Sequence, residues 1–151
     1  ASDVYKRQLT NPRTADYVFD PARFTKFEGR TGAYLCYSAV RIKSILRKAE
    51  AEGYRPGALL PAAAPAERTL QLQLIQLTDA LHAAAAQRMP HHLCQYAWDV
   101  AQAFNQFYSV CHIMREPDVN RRASWLGLAQ LTLLQLDLVL SLLGIETPER
   151  M

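Results

Sequence analysis

Histidine and cysteine gather twice in the chain, at His91, His92 and Cys94 and again at Cys111 and His112, and these are side chains that hold zinc. On a helix His91 and Cys94, three residues apart, share a face. The second group follows about 30 Å further along at 1.5 Å per residue, too far to complete the same site. No metal site is therefore expected, and packing or solvent exposure is the ordinary fate of such residues. None of Cys36, Cys94 and Cys111 sits in a cysteine-hydrolase signature. Paired carboxylates are absent from the helical stretches, and the glycines near Gly29 and Gly32 fit neither the dinucleotide nor the triphosphate loop. No catalytic constellation emerges.

A different chemistry is offered by Tyr34 and Tyr37, followed by Arg41, Lys43, Arg47 and Lys48. Cations can neutralise phosphates, and aromatic rings give unpaired bases a surface to stack on. Lysine and arginine on a helix are also common as a plain solvated face. A second aromatic group, Trp98, Phe104, Phe107 and Tyr108, reads as core, with Tyr108 the ambiguous member because its hydroxyl needs water or a partner.

The elements that must position these residues are helical. With 151 residues, 50% hydrophobic and 21% charged, the chain is expected to form one globular domain, and disorder and fibrous repeats are excluded. The formal net charge of +3 permits a polyanionic partner without demanding one. Three cysteines do not form a disulfide framework, so a reducing, cytoplasmic setting is expected. No secretory leader or membrane span is expected; the nearest approach, residues 126–145, carries Gln130, Gln135 and Asp137. Residues 1–8 are left unassigned, and a start without Met suggests a piece of a longer protein.

Apolar residues recur at helical spacing over residues 34–52, 66–88, 91–111 and 117–143, with Gly53, Pro90 and Gly144 as stops. Residues 57–65, rich in proline, form a linker inside the domain. Residues 9–32 are mostly loop, with a turn at Asn11-Pro12 and one short helix over 21–26. The expectation is an all-α bundle of four principal helices.

The run F-E-G-R-T-G-A-Y-L-C-Y-S-A-V-R, from Phe27 to Arg41, resembles the place in arginyl-tRNA synthetases where the catalytic domain hands over to the C-terminal, DALR-type anticodon-binding domain. That family commonly reads F-E-G-x-T-G-P-Y-x-x-Y-x-x-x-R there. The closing run L-G-I-E-T-P-E-R-M is similar to the end of the same family, and Phe107-Tyr108 and Arg122 with Leu126 fall between in the right order. Ala33 replaces the usual proline and Trp125 stands where the family often has arginine. Nothing resembles the HIGH or KMSKS signatures.

The resemblance implies a division into a junction from an absent catalytic domain, residues 9–32, and a helical anticodon-binding domain, residues 33–151. It implies a partner, the anticodon arm of an arginine tRNA, and a surface that includes Tyr34, Tyr37, Arg41, Lys48, Tyr108 and Met151. The parent would be an arginine-tRNA ligase using ATP and Mg, with a monomeric chain, while these 151 residues alone would need no cofactor and carry no catalysis. The alternative is a non-catalytic helical protein-interaction module whose basic helix is merely solvated.

Overall fold

The computed structural model describes Leu9 and residues 32–150; the turn expected at Asn11-Pro12, the short helix expected over 21–26 and Met151 lie outside the described residues. Helix α1, Gly32–Ala51, buries Leu35, Ala39, Ile42, Ile45 and Ala49 at three- and four-residue spacing. Its stop is the expected one. Gly53 adopts φ +78°, where a side chain would be strained, and this turns the Tyr54 N–H back onto the Ala49 carbonyl at 2.8 Å.

Residues 57–65 do not wander. The Gly57 N–H donates to the Ala123 carbonyl at 2.8 Å, the Leu60 N–H to the Ser124 hydroxyl at 2.9 Å, and Arg121 to the Pro61 carbonyl at 2.8 Å. The segment is thereby stitched to the last helix through its own backbone groups.

The second helical stretch is interrupted where a continuous helix is expected. Helix α2 covers Pro65–Leu74 and α3 covers Leu77–Gln87, with the chain turning at Ile75 and Gln76. The break leaves Ile75 72% exposed. The buried Tyr96 explains how the broken end is tolerated: its hydroxyl donates to Gln135 Oε1 and lies 3.4 Å from the Leu74 carbonyl. Helix α3 ends at Arg88, in the left-handed region at φ 53°.

Helix α4, His91–Val110, is the centre of the bundle and packs against α1, α2, α3 and the last helix. Leu93, Ala97, Val100, Ala101 and Phe104 face inward as expected. A 3-10 turn, Ile113–Arg115, then leads to α5, Val119–Leu142. Asp118 caps α5 by accepting from the Asn120 N–H at 2.8 Å and the Arg121 N–H at 3.3 Å.

Helix α5 runs antiparallel to α1: the Cys36 thiol meets the Glu146 carbonyl at one end, and the Arg122 guanidinium lies 3.8 Å from the centre of the Tyr54 ring at the other. By length and apolar composition α5 would suffice to cross a bilayer. Here its Leu126, Leu128, Leu136 and Leu140 are fully buried in the bundle. Each such side chain contributes roughly 1.5–3 kcal/mol of burial. The described residues contain only helices, the 3-10 turn and connections. The all-α bundle matches the sequence reading, with the second of its four segments broken in two.

Candidate nucleic-acid interface

Between α1 and the end of α4 lies an open cleft of about 860 Å³. Helix α1 supplies Tyr37, Arg41, Ser44 and Lys48, spaced so that they share one face. Tyr108, His112 and Arg115 come from the end of α4 and the turn that follows. Arg41, Lys48 and Arg115 are cationic, and no carboxylate is among the lining residues. An anion entering the cleft meets favourable charge on both walls.

The cleft also presents rings. Tyr37 is 48% exposed, and the Arg41 guanidinium carbon lies 4.7 Å from its centre while Nη2 donates to the Tyr37 hydroxyl oxygen at 2.8 Å. Tyr108 is half-buried. Its ring is nearly parallel to that of fully buried Phe104, with planes 9° apart and centroids separated by 6.2 Å. The core thus fixes the tilt of a ring that faces solvent on the cleft side.

Four of the six residues expected at the site, Tyr37, Arg41, Lys48 and Tyr108, are brought together here. Tyr34 stands elsewhere: half-buried, its ring 5.0 Å from that of Trp98, with its hydroxyl oxygen accepting from Asn105 Nδ2 at 2.6 Å. Met151, the sixth, is not among the described residues. Sequence reasoning passed over His112 and Arg115, which belong to the cleft because the 3-10 turn folds them back beside Tyr108.

Lys43 and Arg47, grouped in the sequence with Arg41 and Lys48, point the other way. Lys43 Nζ pairs with Glu149 Oε1 at 2.7 Å and Arg47 Nη1 donates to the Glu149 carbonyl at 3.4 Å, so both hold the C-terminal tail along α1. The hydrogen bond and charge of Lys43 hold the Glu149 carboxyl below its ordinary pKa. Thr147 secures the same tail by donating to Asp137 at 2.7 Å.

The cysteine and histidine groups do not converge. Cys94 is buried in α4, and the rings of His91 and His92 lie 4.1 Å apart. Burial, with Glu67 and Glu116 nearby, pushes the Cys111 thiol up. Trp125 takes a packing role, its ring edge-on to Phe107 at 6.0 Å, with its buried indole N–H lacking a hydrogen-bond partner.

A helical bundle with a basic, aromatic-walled cleft is the kind of domain that engages nucleic acid. Residues 35–151 match the family model of the DALR anticodon binding domain, and the chain belongs to that family. Relatives named arginine-tRNA ligase include those of Maricaulis maris, 51% identical over 143 residues, and Alkaliphilus oremlandii, 41% identical over 144; each alignment covers 95% of this chain. The chain spans about a quarter of the length of these relatives, 24% in both cases. The fold superposes on the Thermus thermophilus arginyl-tRNA synthetase with a TM-score of 0.88 and 32% identity, covering 99% of this chain and 26% of that one. The chain thus carries a DALR anticodon binding domain, similar in sequence and fold to about a quarter of those proteins.

Proposed function

We propose that the cleft between α1 and the end of α4 receives the anticodon arm of an arginine tRNA on behalf of a parent arginine-tRNA ligase. The observation that carries this reading is the convergence of Tyr37, Arg41, Lys48 and Tyr108 on one cleft without a carboxylate among its lining. Anticodon bases are unstacked and can be splayed onto ring faces, while the cations meet the backbone phosphates. Met151 belongs to the proposed surface through the family resemblance alone. The ATP and Mg chemistry that activates arginine would belong to the parent's catalytic domain; a monomeric parent is part of the same reading, and a reducing, cytoplasmic setting suits a chain whose cysteines form no disulfide among the described residues.

The test is titration of the chain with arginine tRNA at several salt concentrations. Binding should weaken steeply as salt rises, because each neutralised phosphate releases counterions. Absence of binding at low salt would leave the protein-interaction module as the better reading. Arginine-dependent pyrophosphate exchange should stay at background with the 151-residue chain; exchange above background would mean that a catalytic site has been overlooked.

A further inference from the structure

Arg41 is the most constrained cation of the cleft, and one of its constraints comes from outside. Asn105, on α4, does not line the cleft, yet its Oδ1 accepts from Arg41 Nη1 at 2.9 Å. On the other side Arg41 Nη2 is held by Tyr37 at 2.8 Å. The two ends of the guanidinium are therefore pinned by two different helices.

Asn105 is itself oriented. Its Nδ2 donates to the Tyr34 hydroxyl oxygen at 2.6 Å and lies 3.4 Å from the Oγ of fully buried Ser38. Turning the amide over would set Nδ2 against the guanidinium, donor against donor, so the Tyr34 side of the network decides which amide atom Arg41 meets. Tyr34 in turn packs on Trp98 at 5.0 Å. A chain of contacts runs from Trp98 on α4 through Tyr34 and Asn105 to Arg41.

We infer that Asn105 is a positioning residue for RNA binding, holding the Arg41 guanidinium in a fixed plane so that its remaining N–H groups face the ligand; the inference rests on the tRNA reading above. A free arginine loses rotamer freedom when it engages a phosphate, and here the network imposes that order before the ligand arrives. Tyr34 acts on the site through Asn105.

The test has an arm without RNA. In the free chain, ¹⁵N relaxation of the Arg41 Nε–H should report an ordered side chain, and Asn105→Ala should make it mobile; an Arg41 that stays rigid would overturn the positioning role whatever the RNA does. In the second arm, Asn105→Ala should weaken tRNA binding about two- to tenfold, the cost of ordering one long side chain during binding. The same substitution should have no further effect in an Arg41→Ala background. Additive losses would show that Asn105 acts independently of Arg41 and overturn the inference. Tyr34→Phe keeps the ring on Trp98 and removes the hydroxyl, so it guards against a destabilised Asn105→Ala; it should give a smaller loss in the same sense, again absent without Arg41. No binding by the unsubstituted chain would bring down the tRNA reading, an outcome distinct from either of these.

Discussion

Arg121 reaches from α5 to place its Nη1 3.3 Å from a carboxylate oxygen of Glu67, a side chain with no exposed surface. The other Glu67 oxygen accepts the Ala63 N–H at 2.9 Å, and the same Arg121 nitrogen donates to the Pro61 carbonyl at 2.8 Å. One buried charge therefore ties α2, α5 and the proline-rich linker together. Removing Arg121 leaves the carboxylate buried and uncompensated, and Arg121→Ala should cost about 3 kcal/mol. Glu67→Gln keeps an acceptor for Ala63 without the charge and should cost less. Urea denaturation of both variants measures the difference; equal losses would mean that the charge on Glu67 is not what Arg121 compensates.

Tyr96 makes the fold sensitive to alkali. Burial pushes its hydroxyl up from an ordinary value of 10.0 to about 12. The raised value means that the folded state keeps the proton more tightly than the unfolded chain does. The associated stability is fully present below pH 10 and is lost as pH rises through 12, amounting to roughly 2–3 kcal/mol over two pH units. Stability measured between pH 9 and 12 should therefore fall more steeply for the unsubstituted chain than for Tyr96→Phe. Parallel curves would show that Tyr96 ionises as it does in the unfolded state.

Gly127 lies where the linker crosses α5. A Cβ built there would run into the carbonyl oxygen of Gly57, and backbone cannot move aside as a flexible side chain can. Gly127→Ala should push the linker away and strain the Gly57 to Ala123 hydrogen bond, destabilising by about 1–3 kcal/mol despite the better helix propensity of alanine. A thermal melt showing a gain in stability would mean that the linker is not held as close as this.

The bundle was legible because Leu35, Ala39, Ile42 and their counterparts on α4 and α5 repeat at helical spacing, and because Gly53 and Gly144 stand where helices stop. The interruption at Ile75 was not. No proline or glycine marks it, and the carbonyl it leaves is met by Tyr96, more than twenty residues later. At the site, periodicity held more than composition conveyed. Tyr37, Arg41 and Lys48 fall on one side of a helix and Lys43 with Arg47 on another, yet counting them as one basic run does not separate them. Asn105 carried no signal of its own, since its role depends on Tyr34 and Arg41 being brought to it by the packing of α1 on α4.

Tyr108 is where stability and binding meet. Its ring lies beside that of Phe104 with planes 9° apart, which draws it partly into the core, while its other surface lines the cleft. Both properties should respond to Tyr108→Ala. A fully buried aromatic costs roughly 3–5 kcal/mol on truncation, and a half-buried one should cost less, about 1–2 kcal/mol. Losing one base-aromatic stack should weaken tRNA binding by about 1–3 kcal/mol on top of that, read as a shift in dissociation constant under conditions where the variant is still folded. Tyr108→Phe separates the ring from the hydroxyl and should keep most of both. If Tyr108→Ala destabilises the domain while the folded fraction binds tRNA as tightly as before, the ring is part of the core alone, and the bases must be received further along the cleft, beside Tyr37 and Arg41.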